Sequence, residues 1–173
     1  GSDTVLKRMN RRYTTEEFYS ATQLIRKYFN NANITTDIIV GFPGETEEEF
    51  METCKFVQKV NFAHVHIFPY SRRKGTVAYT YADLDKNIKK ERVHRLQQIA
   101  NECEADYLTK QIDVPTTLLV EEKAGDMYVG YSHNYVRLYV SGENVKCGSV
   151  YNVVPTKLYK DGLIAKIVEE KNE

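Results

Sequence analysis

The residues able to do chemistry fall into four groups along the chain. "VGFPG" (Val40 to Gly44) ends a β-branched run with a glycine–proline turn, and four acids follow at Glu45, Glu47, Glu48 and Glu49. His64 and His66 stand two apart, a spacing that shares one face of a strand. "PYSRRKGTVAYTY" (69–81) interleaves Arg72, Arg73 and Lys74 with Tyr70, Tyr79 and Tyr81, the mixture that grips phosphates while rings stack on unpaired bases. "GYSHNYVRLYV" (130–140) offers Tyr131, His133, Asn134, Tyr135 and Arg137 as stacking faces and donors.

Each group has limits set by its surroundings. A glycine-rich strand-to-helix turn suits phosphate only where helix amides and the positive dipole end are free. Here four carboxylates occupy that field, and no Lys follows Gly44, so the turn is no P-loop. The acids read as a solvated first helical turn. The histidine pair lacks a nearby third ligand, so no metal is expected there. Cys54, Cys103 and Cys147 lie too far apart for a local zinc or iron–sulfur motif, and an odd, sparse set makes no disulfide framework. Cys54 and Cys103 fall on apolar helical faces, where a packed thiol is expected.

These groups need elements to hold them. Asp3 reads as the N-cap of a helix with Val5, Leu6 and Met9 on one stripe. Thr14 with Glu17 has capping-box spacing, and Phe18, Ala21, Leu24, Ile25 and Tyr28 or Phe29 recur at helical period. A strand follows at 34–41. Thr46 with Glu49 makes a second capping box for a helix at 46–60 that turns Phe50, Cys54, Val57 and Val60 to one side. "FAHVHIF" (62–68) is the next strand, and a helix from about Lys86 to Lys110 carries Val93, Leu96, Ala100, Cys103 and Tyr107 on its stripe. Helix and strand alternate as in parallel α/β folds, yet two parallel strands are too few to be buried on both faces, so this part reads as incomplete. An exposed edge strand there invites pairing with a second copy.

After Pro115 the texture changes to five short alternating runs, "PTTLLVEE", "MYVGYS", "YVRLYVS", "VYNVVPTKLY" and "LIAKIVEE", with "KDGL" (160–163) as an Asp-Gly hairpin signal. Five strands in so short a stretch predict a small closed all-β barrel of OB-like size, and the boundary falls at 111/112. Lys plus Arg and Asp plus Glu number 24 each, so no global field draws the chain to nucleic acid or membrane. The barrel segment itself holds eight basic against nine acidic residues from 109 onward. No apolar run approaches a membrane span and no signal peptide is evident, so a cytoplasmic protein is expected.

"TDIIVGFPGETEEEF", followed by "HVHIFPYSRRKGT", resembles the radical S-adenosylmethionine methylthiotransferases, and "SDTVLKRMNRRYT" is similar to the segment before it. The "FPYSRRKGT" variant is most like the branch acting on threonylcarbamoyl-adenosine beside the tRNA anticodon. "GYSHNYVRLYV" is similar to the TRAM barrel that closes those enzymes. The resemblance implies an end portion of a (βα) partial TIM-like barrel over 1–111 and a TRAM barrel over 112–173. It implies that Val40, Gly41, Phe42, Phe68 and Tyr70 border the S-adenosylmethionine site and that Arg11 anchors the cofactor's carboxylate. RNA would meet Arg72, Arg73, Lys74, Tyr131, Asn134, Tyr135 and Arg137. The full-length enzyme would carry S-adenosylmethionine and two [4Fe–4S] clusters on cysteines upstream of Gly1. This C-terminal piece is then expected to bind no cluster or cofactor by itself, to have no catalytic residue of its own and to be inactive without the N-terminal half of its chain. The implied reaction adds a methylthio group to a tRNA adenosine. A ribosomal-protein methylthiotransferase piece and a purely RNA-binding module stay open as alternatives.

Overall fold

A computed structural model describes residues 1–168. The run "LIAKIVEE" therefore ends, for structural purposes, at Val168, and its Glu169 and Glu170 lie outside the described residues. The chain divides into two compact units, one of Gly1–Asn30 with Ile34–Glu104, the other of Asn31–Asn33 with residues from Ala105 onward.

The first unit runs α1 (Asp3–Arg8), α2 (Thr15–Tyr28), β1 (Thr35–Val40), α3 (Glu47–Val60), β2 (His64–Pro69), a 3-10 turn (Val77–Thr80) and α4 (Lys86–Thr109), whose last residues belong to the second unit. Both expected capping boxes form: Thr14 with Glu17 opens α2 and Thr46 with Glu49 opens α3. Asp3 does not cap α1, because Ser2 occupies that position. The Asp3 carboxylate instead accepts the Thr15 N–H at 2.7 Å, so it serves the free amides of α2.

β1 and β2 pair in parallel, Thr35 opposite His64 through Val40 opposite Pro69. Alternation along β1 sends Ile38 and Val40 into a core shared with Phe50, Cys54, Val57 and Val60 of α3 and Leu96, Ala100 and Cys103 of α4. Ile39 and Phe68, directly paired across the sheet, remain exposed. The apolar stripe expected on α2 does not pack as a unit. Leu24, Ile25, Tyr28 and Phe29 are 42–71% exposed, while Phe18, Tyr19 and Thr22 face the core and Arg26 reaches the Asn61 carbonyl at 2.9 Å.

The second unit is a closed five-stranded barrel, β3 (Thr116–Ala124), β4 (Met127–Ser132), β5 (Arg137–Val140), β6 (Val150–Tyr159) and β7 (Gly162–Ile167), in the order β3-β4-β5-β7-β6 with β6 returning to β3. All pairs are antiparallel except β5 with β7. Leu118, Val120, Val129, Leu138, Val153 and Leu163 fill the interior. The fold is thus a parallel β-α segment followed by a small mixed barrel. The β6–β7 hairpin forms one residue earlier than the Asp-Gly signal places it: Lys160 and Asp161 make the turn, with Lys160 at φ 50°, and Gly162 already pairs with Tyr159. Gly162 is needed for another reason, since a Cβ there would lie 2.1 Å from the Arg137 carbonyl oxygen.

Candidate functional site

Gly41 leaves β1 at φ +72°, a conformation that side chains rarely adopt, and its missing Cβ makes room for the Lys89 stem, 2.4 Å from where that Cβ would stand. Its N–H donates to the Glu45 carboxylate at 2.7 Å. Glu45 is only 4% exposed and accepts a second hydrogen bond, also 2.7 Å, from Arg92, which reaches the Glu45 carbonyl as well. Burial raises the Glu45 pKa above the ordinary carboxylate value against the opposing pull of the Gly41 amide and the Arg92 guanidinium. The acid run is therefore not uniformly solvated. Glu49 combines its capping role with a two-point hydrogen bond from Arg8 at 2.8 and 2.6 Å, which lowers its pKa. Glu47 pairs with Arg95. Charges that the sequence sets on a helix tip are drawn inward by arginines on α1 and α4 that the local pattern does not reveal.

The next strand end is tied to this turn. The Tyr70 N–H donates to the Val40 carbonyl at 2.8 Å, extending the β1–β2 pairing by one step, and the Tyr70 ring meets Phe42 edge-on at 5.2 Å. Lys89, 7% exposed, holds both Asp83 oxygens at 2.9 and 3.0 Å and the Tyr70 carbonyl at 3.2 Å. Sequence reasoning missed Lys89 and Arg92. Extending the α4 stripe backwards in steps of four from Val93 and Leu96 lands on these two positions, and that was the available signal.

Arg11, Phe42, Phe68 and Tyr70 come together on the wall of one cleft of about 1020 Å³, with Arg73 on the same wall. Val40 and Gly41 do not line it. Val40 is fully buried in the core and Gly41 lies beneath Lys89. Arg72 donates to the Tyr79 carbonyl and lies over the Tyr79 ring at 5.1 Å, bracing the loop that carries the 3-10 turn. Lys74 is exposed at the loop tip beside Gly75. His64 and His66 stack edge-on at 4.6 Å, and the His64 Nδ1 lies 3.0 Å from Glu104. Among the described residues no group of three or more His, Cys, Asp or Glu could hold a metal ion. Cys54 and Cys103 are buried and Cys147 is exposed; burial pushes the Cys54 thiol pKa up.

In the second unit, Tyr135 sits at φ 59° in the β4–β5 turn, 79% exposed, with its ring 6.3 Å from that of Tyr131. Asn134 orders the base of that turn. Its amide nitrogen reaches the Asn31 carbonyl, the Tyr107 hydroxyl and Gln111 Oε1 at 3.2–3.4 Å, and its own carbonyl accepts from Asn33. The Tyr107 hydroxyl donates to the Asn31 carbonyl at 3.1 Å, and burial pushes its pKa up to about 12. Arg137 is held by Asp161 at 2.9 Å and by Glu122 at 3.4 Å. The barrel thus presents the Tyr135 ring on a braced turn with the half-buried Tyr131 of β4 beside it, and its arginine is already neutralised.

Comparison with known proteins connects both units to one family. A family model described as the radical SAM superfamily matches residues 1–57. The threonylcarbamoyladenosine tRNA methylthiotransferase of Bacillus subtilis is 40% identical over 99% of this chain and 40% of that protein. Its namesake in Chlamydia pneumoniae is 33% identical over 97% of this chain and 40% of that protein. The tRNA-2-methylthio-N(6)-dimethylallyladenosine synthase of Oceanobacillus iheyensis is 37% identical over 100% of this chain and 34% of that protein. The chain spans no more than 40% of the length of these curated relatives. No helix among the described residues is long and apolar enough to cross a membrane. Through both the β-α segment and the five-stranded barrel, the chain is similar from end to end to radical SAM methylthiotransferases.

Proposed function

We propose that this chain is the C-terminal part of a cytoplasmic tRNA methylthiotransferase acting on threonylcarbamoyl-adenosine beside the anticodon. In this reading the first unit contributes a wall of the S-adenosylmethionine and substrate cleft, and the second unit grips RNA. The observation that carries it is the match along the whole chain, through both units, to the B. subtilis enzyme named for that nucleoside.

The residues present suit S-adenosylmethionine. Phe68 and Tyr70 offer apolar ring surface for an adenine, the buried Phe42 backs Tyr70, and the exposed Arg11 guanidinium suits a carboxylate through paired N–H donors. Val40 and Gly41 shape the turn that presents Phe42. When bound, the cofactor supplies the radical and methyl chemistry of the reaction. The clusters do not fit here: the three cysteines gather no ligand set among the described residues, so no step on this chain is assigned to them and the chain alone is expected not to turn over. For RNA, Arg73 and Lys74 provide phosphate contacts from the loop after β2, Arg72 braces that loop, and Tyr131 and Tyr135 provide stacking faces on a turn that Asn134 fixes. Arg137 would have to exchange a carboxylate for a phosphate.

The test is a titration of the whole chain with anticodon stem-loop RNA at low and higher salt. Affinity that falls steeply between about 50 and 200 mM salt is expected, because phosphate contacts release counterions. Absence of binding at low salt would contradict an RNA-gripping role and favour a protein substrate.

A further inference from the structure

We propose that a second cavity in the first unit, lined by α4 and the segment after β2, is a binding site for a backbone phosphate of the RNA strand. The proposal rests on the reading above and adds a site to it. The cavity has a volume of about 570 Å³ and shares Pro69, Tyr70 and Ser71 with the larger cleft but no other lining residue. Four cations line it, Arg72, Lys86, Lys89 and Lys90, against the single carboxylate of Asp83.

The charges are not equivalent. Lys89 and Asp83 neutralise each other at 2.9 Å, and Arg72 spends its donors on a carbonyl, which leaves its charge uncompensated. Lys86 and Lys90 are exposed and have no ion-pair partner among the described residues. They stand at i and i+4, on one face of α4, where like charges repel. Elsewhere on the same helix and at its end that spacing joins opposite charges: Glu91 with Arg95 at 3.0 Å, and Asp106 with Lys110, just past the last helical residue, at 2.6 Å. The unrelieved cations therefore concentrate at the cavity, with the Ser71 hydroxyl beside them as a further donor. An anion placed there relieves the repulsion.

The chemistry points to a strand phosphate over a free ion. Flexible, hydrated lysine heads without a buried donor set make a point-charge contact, which is weak for a lone ion and additive along a polyanion. The shared segment Pro69–Ser71 also places the cavity next to the cleft assigned to the reacting nucleoside, so one strand reaches both.

The experiment compares the whole chain with a Lys86→Gln/Lys90→Gln variant in titrations with threonylcarbamoyl-adenosine stem-loop RNA over a series of salt concentrations. Lys89 is left intact because it holds the Gly41 turn. The variant is expected to bind more weakly, with a log-affinity against log-salt slope shallower by roughly 1 to 2. Lys86→Arg/Lys90→Arg should keep the slope. Lys27→Gln/Lys55→Gln, which removes the same charge from exposed positions on α2 and α3, should keep it too. Unchanged slope and affinity in the glutamine variant would overturn the inference while leaving the RNA reading standing. No RNA binding by the unaltered chain would overturn both. Inorganic phosphate serves as the free-ion probe: if it shifts the Lys86 and Lys90 resonances at low concentration and RNA does not displace it, the cavity is an ion site and the strand assignment fails.

Discussion

Glu45 and Arg92 form the ion pair on which the shape of the Gly41 turn depends, with side chains only 2% and 4% exposed. Removing one partner strands the other without water, which costs about 3–5 kcal/mol at such sites. Arg92→Ala should therefore lower the unfolding free energy of the first unit by that amount in urea titration, and a loss under about 1 kcal/mol would show that the pair is dispensable. The Arg8–Glu49 link sits nearer the surface and carries a pH signature. Hydrogen bonds from Arg8 depress the folded-state pKa of Glu49, so their stabilisation is present above the ordinary carboxylate range and is lost as the pH falls through the lowered folded value. Arg8→Gln should cost about 1 kcal/mol at neutral pH and almost nothing in strong acid. A cost that persisted at low pH would mean that Arg8 acts through packing alone.

At the scale of elements, the features written in local pattern were legible and those set by distant partners were not. Both capping boxes announce themselves within four residues, and both form. On the α4 stripe Leu96, Ala100, Cys103 and Tyr107 are buried and Val93 is half-buried, as the period implies. By contrast, the α2 stripe marks a helix correctly but not its burial: Phe18 packs on the core while Leu24, Ile25, Tyr28 and Phe29 stay exposed. Glu45 looked solvated because its partner is 47 positions away. The five barrel strands were readable from alternation and turn residues, while the hairpin slipped by one because close approach of β5 claims Gly162. Gly130 makes the same point within β4. It faces the bulge between Val120 and Glu122, and a Cβ there would lie 1.8 Å from the Leu119 carbonyl oxygen. Gly130→Ala should cost roughly 3 kcal/mol or prevent the barrel from closing, read by urea unfolding and far-UV circular dichroism. A variant as stable as the parent would show that the β3–β4 pair has slack that its register does not suggest.

For the molecule as a whole, two units that could be read separately acquire meaning from a single alignment that runs through both. Arg11, Phe42, Phe68 and Tyr70, far apart in the sequence, line one cleft, whereas Val40 is buried in the core and Gly41 lies beneath Lys89. On the barrel, Tyr135 is exposed and Tyr131 half-buried, and Asn134 and Arg137 have partners that their side-chain types alone do not disclose. The central claim is that this chain takes part in recognising threonylcarbamoyl-adenosine in tRNA. Its most direct test is the ratio of affinities of the whole chain for two otherwise identical anticodon stem-loops, one carrying threonylcarbamoyl-adenosine and one carrying plain adenosine. The modified loop is expected to bind more tightly, by on the order of tenfold, the equivalent of about 1.4 kcal/mol. Equal affinity for both loops would contradict it and leave only RNA binding that is blind to the modification.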